Sequence, residues 1–347
     1  MQNRPLGRTG ITVPPVCLGT MTFGAATDPD GAFAQMDFAV DNGLTFWDTA
    51  EMYAVPPSPE SYGRTEEIIG DWFVRTGRRD EIFLTSKVIG RPRGGFEWIR
   101  DGKNRLDRAN ITRAVEDSLR RLRTDRIDLY QIHWPDRPMA LFGSGTVEGE
   151  AGDQGVPIPE TLEVLGDLVK AGKIRAVGVS NETAWGLMTW LKASETAGLP
   201  RIVTIQNALN LLNRTFEDAL MEVCLREGVG LLAYSPLAGG TLTGKYLGGT
   251  MPEGSRRDLD PRRSRYDRPR GDEATAAYVE IARRHGLEPA HMAIAWVRSR
   301  PYVTATIIGA TRLDQLKRNL PAFDVQLTPE VLEEIEAVHR AIPNPCP

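Results

Sequence analysis

Eight short apolar runs punctuate the chain, at residues 16–18, 44–47, 82–85, 127–132, 176–179, 203–205, 231–233 and 305–308. Each is too short for a buried helix, and together they read as strands buried on both faces. Between the runs, apolar positions recur with helical period. Over 111–122 the residues Ile111, Ala114, Val115, Ser118, Leu119 and Leu122 share one face, with Arg and Glu on the other. The same spacing predicts helices near 31–41, 65–75, 160–171, 184–197, 217–227, 273–285, 290–299 and 312–320. Strands alternating with helices predict an α/β fold with a parallel sheet, and eight such units suffice to close a (β/α)8 TIM barrel. The rival is an open doubly wound sheet, but no Gly-x-Gly-x-x-Gly turn follows the first run. Nothing in the pattern splits the chain, so residues 1–347 are expected to form one barrel domain.

The connections are unequal. Those entering strands are short and marked by glycine, as in 41-DNG-43, 171-AGK-173 and 227-EGVG-230. Those leaving the third, fourth and seventh runs are long, covering 88–109, 134–159 and 235–272. In a parallel barrel all strand-to-helix loops gather at the C-terminal mouth, where active sites are found. The polar residues that end the runs therefore matter. They fall in 47-WDTAEMY-53, 85-TSKV-88, 131-QIHW-134, 179-VSN-181, 205-IQN-207 and 234-YSPL-237. Asp48, Lys87 and His133 end three consecutive strands, with Tyr53 a short loop away. A lone lysine or histidine at a strand end is usually a solvated or packed residue. Converging on one mouth, the four describe a proton-transfer site. A phenol with an ordinary pKa of about 10 is a poor acid near neutrality. A neighbouring Lys87 would lower that value, Asp48 would keep the ammonium charged, and His133 would hydrogen-bond the reacting oxygen or pass on a proton.

Composition narrows the picture. With 41% hydrophobic and 25% charged residues, the chain can bury a large core. A net charge of −4 gives no electrostatic reason to expect nucleic acid as a partner. Cys17, Cys224 and Cys346 show no metal or redox spacing, so no metal is expected, and free thiols fit a reducing compartment. The start MQNRPLGRTG lacks a signal-like apolar stretch, and no run approaches the roughly 18 apolar residues of a membrane span. A cytoplasmic protein without a membrane partner is expected; the sequence leaves its oligomeric state open.

The stretch 239-GGTLTGKY-246 comes within one residue of a P-loop. A P-loop needs a Ser or Thr hydroxyl for Mg²⁺ after its lysine, and position 246 is Tyr, which argues against triphosphate chemistry. A glycine-rich backbone with Lys245 after the seventh strand remains suited to phosphate.

The set Asp48, Tyr53, Lys87 and His133, with 18-LGTMTFG-24, 178-GVSN-181, 205-IQN-207 and 234-YSPLAGGTLTGKY-246, resembles the aldo-keto reductase family from about Leu6 to His339. Around 51-EMYAVPPSPE-60, 198-GLPRIVTIQN-207 and 278-YVEIARRHGL-287 it is especially similar to the Tas-type bacterial members, and more distantly to the β-subunits of voltage-gated potassium channels. The resemblance implies a bottom-closing hairpin from 4–6 and 11–13, and NADP(H) as cofactor. Gly19, Thr20 and Met21, with Asp48, would line the nicotinamide ribose side. Ser180, Asn181 and Gln206 would hold the carboxamide, and Tyr234 would stack on the nicotinamide. Ser235, Pro236, Leu237, Ala238, Gly240, Thr243 and Lys245 would straddle the pyrophosphate. At the adenosine end Thr311, Gln315 and Asn319 match the channel-subunit branch. Many members place Lys and Arg for the 2′-phosphate where this chain has Gly309 and Gln315, so Arg256 and Arg312 are expected to supply that charge.

The implied activity is NADPH-dependent reduction of a small aldehyde or ketone, with Tyr53 as general acid and Tyr53, His133 and Trp134 at the substrate. The loops 54–63, 88–109 and 135–158 are expected to shape its pocket. Two alternatives stand beside it. One is a slow-turnover dinucleotide-binding redox sensor or regulatory subunit. The other is a barrel aldolase with Lys87 as Schiff-base nucleophile, against which Asp48 would keep the amine protonated. The segment 256-RRDLDPRRSRYDRPR-270 carries seven Arg against three Asp. It reads either as a solvated loop or as a flap over the cofactor phosphates.

Overall fold

A computed structural model describes residues 2–91, 96–143, 147, 155–259 and 265–347. A two-stranded hairpin, β1 (Arg4–Pro5) and β2 (Thr12–Val13), precedes eight further strands. These are β3 (Val16–Gly19), β4 (Phe46–Asp48), β5 (Phe83–Val88), β6 (Ile127–Ile132), β7 (Ile174–Ser180), β8 (Ile202–Ala208), β9 (Gly230–Tyr234) and β10 (Val303–Ile308). All eight pair in parallel, each with its chain neighbour, and β10 returns to β3 to close the barrel. The expected (β/α)8 architecture is therefore present, built on the eight apolar runs.

Helices α1 (Pro29–Asp41), α2 (Arg64–Thr76), α3 (Arg108–Leu122), α4 (Ile158–Lys170), α5 (Ala184–Ala197) and α6 (Leu220–Glu227) form most of the outer layer. The long β9–β10 connection carries a short α7 (Arg256–Leu259), then α8 (Pro269–Arg284) and α9 (Pro289–Ser299), and α10 (Leu313–Asn319) follows β10. The face read for 111–122 is the buried face of α3, residue for residue. A last helix, α11 (Pro329–Ala341), lies beyond the predicted elements and packs on α8. Its signals were present: Thr328 caps it, accepting from the Val331 amide, Pro329 starts it, and Val331 and Ile335 are one turn apart and buried.

The barrel interior has two chemistries. Its floor is apolar, where Cys17, Phe46, Leu129, Ala176, Val203, Leu232, Ala305 and Ile307 pack with Leu6 and Val13 of the hairpin. Arg4 fastens the hairpin by donating to the backbone carbonyls of Val303 at 2.6 Å and Arg298 at 2.9 Å. Toward the mouth the buried residues become polar: Asp48, Thr85, Lys87, Gln131, Thr204, Gln206 and Thr306. Strands β5, β7 and β8 also run past their apolar cores, so Lys87, Ser180 and Gln206 stand within the ladder, paired with Gln131, Gln206 and Ser180 or Leu232. A polar side chain directed into the mouth leaves backbone pairing intact.

Helix α2 meets the end of α3 at Gly70, where an added Cβ would lie 2.2 Å from the Arg121 carbonyl oxygen. Alanine has the higher helix propensity by about 1 kcal/mol, yet here it must push two backbones apart. Gly70→Ala is expected to lower unfolding free energy by about 1–3 kcal/mol, read by chemical denaturation; a stabilised variant would contradict this packing.

Candidate active site

Strand register brings the quartet together. Asp48 ends β4, Lys87 lies in β5, His133 follows β6, and Tyr53 stands in the loop after β4. Lys87 is fully buried, and its Nζ donates to Asp48 Oδ2 at 2.7 Å and to the Thr49 carbonyl at 2.8 Å. The other Asp48 oxygen, Oδ1, accepts from Gln206 Nε2 at 2.8 Å, Thr85 Oγ1 at 3.1 Å and Gln131 Nε2 at 3.4 Å. A buried carboxylate is tolerable only when so satisfied. The Lys87 ammonium lies 5.0 Å from the Tyr53 ring centre, and the Tyr53 and His133 rings meet edge to face at 5.7 Å.

Burial sets the protonation states. It opposes the charge on Lys87, but Asp48 and Tyr53 together outweigh it and hold the amine's pKa above 10.5. An amine held protonated is a poor Schiff-base nucleophile, which counts against the aldolase alternative. His133 is pushed well below 6.5, first by burial and then by Lys87, so its ring is neutral near pH 7. Its Nδ1 is buried with no hydrogen-bond partner. A neutral histidine suits hydrogen bonding to a reacting oxygen better than supplying a stored proton. For Tyr53 the expected depression is not met. Burial raises the phenol above 10, Lys87 pulls it down, and Asp48 adds to the rise; the ammonium acts in the anticipated direction but burial is larger.

The residues expected at a nicotinamide adjoin this cluster. Asn181, in left-handed backbone at φ 53°, donates from Nδ2 to the His133 carbonyl at 2.9 Å and to Ser180 Oγ at 3.1 Å. Its Oδ1 accepts from the Tyr234 hydroxyl at 2.7 Å. Ser180 Oγ donates to the Gln206 carbonyl at 2.7 Å. The Arg265 guanidinium lies over the Tyr234 ring at 5.3 Å and the Tyr266 ring at 4.9 Å. Thr20 is tied to Asp48 through its backbone N–H and hydroxyl, both donating to the Asp48 carbonyl. The Met21 carbonyl accepts from the Val55 amide. Gly19 and Gly309 bring β3 and the end of β10 so close that a Cβ on Gly309 would lie 3.0 Å from the Gly19 oxygen.

After β9, Ser235, Ala238, Gly239, Gly240 and Gly244 all have positive φ, folding residues 235–244 into a cradle. Pro236 and Leu237 open it, and the Leu237 carbonyl accepts from the amides of Gly240 and Leu242. Thr243 Oγ1 donates to the Gly240 carbonyl at 2.8 Å. Lys245 folds back so that a Cβ on Gly240 would meet its Cε at 3.1 Å, and Arg256 Cδ lies 3.9 Å from the corresponding point on Gly239. Tyr246, where a P-loop has a hydroxyl residue, is buried and lies beneath the Arg257 guanidinium at 4.2 Å and the Lys245 ammonium at 5.1 Å. Arg257, absent from the expected contacts, also donates to Thr241 Oγ1 at 3.1 Å. At the far end Gln315 Oε1 accepts from the Thr311 amide at 3.1 Å and hydroxyl at 3.2 Å, Asn319 is buried, and Arg312 pairs with Asp314. Arg312 Nη1 approaches to 3.4 Å of a Cβ built on Gly254, across from the cradle loop. A glycine cradle bordered by these cations, joined to a mouth of amides and hydroxyls, fits an elongated ligand with phosphates in its middle.

Trp134 is buried against His133 at 5.0 Å between ring centres, and its Nε1 donates to the Arg91 carbonyl at 3.0 Å. Phe96 and Trp98, at 6.0 Å from each other, continue this aromatic wall, and Phe96 reaches Trp134 at 5.8 Å. Parts of the loops expected to shape the pocket, 92–95, 144–146 and 148–154, and the arginine-rich residues 260–264 lie outside the described residues. No helix among the described residues is long and apolar enough to cross a membrane.

A closed parallel barrel thus carries an ion-paired lysine, a tyrosine and a histidine at its mouth, next to a glycine-rich cradle suited to phosphate. The chain belongs to the aldo/keto reductase family, whose model matches residues 15–340. It is 48% identical over 347 residues to Protein tas of Escherichia coli (strain K12), covering 100% of both chains. It is 31% identical over 354 residues to a probable voltage-gated potassium channel subunit beta of Arabidopsis thaliana, covering 99% of this chain and 98% of that one. The crystal structure of the thermostable aldo-keto reductase Tm1743 with the inhibitor epalrestat superposes with a TM-score of 0.71 at 28% identity, over 97% of this chain and 100% of that one. Members of this family are oxidoreductases.

The ion pair carries a stability prediction. Lys87→Met leaves Asp48 buried without its counter-ion and is expected to cost about 3–5 kcal/mol. Adding Asp48→Asn should restore a large part of that loss. Urea denaturation of Lys87→Met, Asp48→Asn and the double variant decides it; additive losses would mean that the two residues are not coupled.

Proposed function

We propose that the protein is an NADPH-dependent carbonyl reductase in which Tyr53 delivers the proton, with residues 1–347 acting as one barrel domain. The observation that carries this reading is the buried Lys87–Asp48 pair set beneath the Tyr53 ring, 2.7 Å between Nζ and Oδ2. When bound, the cofactor supplies the hydride. This chain's residues do the rest. Gly19, Thr20, Met21, Ser180, Asn181, Gln206 and Tyr234 hold and face the nicotinamide. The 235–245 cradle takes the pyrophosphate, and Gly309, Thr311, Gln315 and Asn319 take the adenosine end, with charge from Arg256 and Arg312.

A small aldehyde or ketone lies against Trp134 with its oxygen directed at Tyr53 and His133. Neutral His133 orients that oxygen by a hydrogen bond from its ring N–H. Tyr53 gives its phenolic proton to the oxygen as negative charge develops there. Lys87 stabilises the phenolate left behind, and Asp48 keeps the ammonium charged and aimed. The phenol's raised pKa is that of a closed, water-excluding site; negative charge arriving on the substrate oxygen is what makes the proton leave.

The likeness to a channel β-subunit keeps the sensor reading as a second one: tight dinucleotide binding with slow turnover. The same mouth and cradle would serve it, and the release rate of copurified cofactor separates the two. For the reductase, Tyr53→Phe is expected to lower kcat for aldehyde reduction by about a hundredfold or more while leaving NADPH affinity within a factor of about two. Full activity in that variant would remove Tyr53 as the acid.

A further inference from the structure

Between the lysine-paired Asp48 and the proton donor stands a second acid that the reaction itself does not call for. Glu51 is fully buried. Its Oε1 accepts from the Ile89 amide at 2.9 Å and from Arg100 Nη2 at 2.9 Å. Its Oε2 accepts from Arg100 Nη1 at 2.5 Å and from the Tyr62 hydroxyl at 3.2 Å. Four donors thus converge on one carboxylate, two of them a guanidinium fork. Both ends of this pair are tied to the active site. The Glu51 amide donates to the Lys87 carbonyl at 3.2 Å, and Ile89 lies two residues past Lys87. Arg100 belongs to the loop after β5 that supplies Phe96, Trp98 and Ile99. Ile89 and Ile99 pack with Met52, Tyr53 and Trp134 in one apolar cluster. Arg100 and Asp101 hold left-handed backbone at φ 49° and 56°, a conformation that L side chains keep only where the surroundings enforce it.

We propose that the Glu51–Arg100 pair is a positioning element for Tyr53: it locks the loop between Asp48 and Tyr53 to the aromatic wall, so that the phenol is held against Lys87 only when that wall is seated. This rests on the reading of Tyr53 as the proton donor. Four residues, 49–52, separate strand-borne Asp48 from Tyr53, and within the loop the Tyr53 amide donates to the Ala50 carbonyl, a local turn that does not by itself anchor the loop to the aromatic wall. The fork does so from outside. An Arg–carboxylate fork fixes orientation as well as distance, which a lysine cannot reproduce. Neither residue touches the reacting atoms; both act through the position of Tyr53.

The test uses Arg100→Met, the charge-retaining Arg100→Lys, and the double variant Glu51→Gln/Arg100→Met, which leaves no buried charge unpaired. Each is prepared with 3-fluorotyrosine in place of tyrosine, whose more acidic phenol titrates in an accessible range by 19F NMR. The position-53 resonance is assigned by its loss in Tyr53→Phe. Expected is a displaced midpoint for that phenol in Arg100→Met and in the double variant, because both the burial that raises it and the ammonium that lowers it depend on where the ring sits, with Arg100→Lys between them and wild type. The kcat for aldehyde reduction should fall about tenfold or more with NADPH affinity unchanged, and its alkaline limb should move in step with the phenol. Lowered thermal stability with an unmoved phenol midpoint would reduce the pair to a structural tie and overturn the proposal. So would full rescue by Arg100→Lys. If Arg100→Met does not fold, the double variant and Arg100→Lys decide. A wild type that reduces no aldehyde would defeat the reductase reading, and the fluorotyrosine titration would still decide the role of the pair.

Discussion

Everything at the barrel mouth depends on keeping one ammonium charged where water is excluded. Removing Lys87 from solvent costs several kcal/mol unless its three donors are met. Asp48 and the Thr49 carbonyl meet two of them, at 2.7 and 2.8 Å. That carboxylate must in turn be satisfied, and Thr85, Gln131 and Gln206 do so from three different strands. The layer of the barrel that would ordinarily hold branched apolar side chains is given over to this network. The apolar floor beneath it, sealed by Leu6 and Val13 of the hairpin, carries the burial that offsets it.

The polar layer then determines what its neighbours can be. His133, buried beside a fixed cation, is neutral, and Tyr53, buried beside the same cation, stays a phenol rather than a phenolate. Both are in the form the proposed proton transfer needs before substrate arrives. A short distance away the backbone after β9 turns through five positive-φ residues, giving Lys245, Arg256 and Arg257 a common concave surface. The mouth and the cradle are thus continuous, one suited to a reacting ring and carbonyl, the other to phosphate charge.

Much of this was legible in the sequence because it follows from period and position. Eight apolar runs gave eight strands, and polar residues just past them, Asp48, Lys87 and His133, could be placed on one mouth without coordinates. The buried face of helix α3 was readable to the residue because its amphipathic pattern is unambiguous, though the helix itself starts three residues earlier, at Arg108. What escaped depends on contacts distant in sequence. Glu51 and Arg100 meet from loops with no shared period, so nothing local marks them as partners. Thr85 and Gln131 looked like strand residues, and the pairing of β4 with β5 and of β5 with β6 is what brings them to Asp48. Arg257 stood beside Arg256 in a charge-rich stretch where spacing alone could not choose between them. The direction of the Tyr53 shift was misjudged because burial, the larger contribution, is not written in residue order. Helix α11 was missed although Thr328-Pro329 and the spacing of Val331 and Ile335 announce it.

The central claim is that this mouth and cradle together form a working reductase site. The most direct measurement is titration of the purified protein with NADPH and, separately, NADH, followed by addition of small aldehydes while nicotinamide absorbance is recorded. The account predicts saturable NADPH binding and aldehyde-dependent loss of that absorbance. Failure to bind either dinucleotide would contradict it at its base, and Lys87 would then have to be explained by some other chemistry.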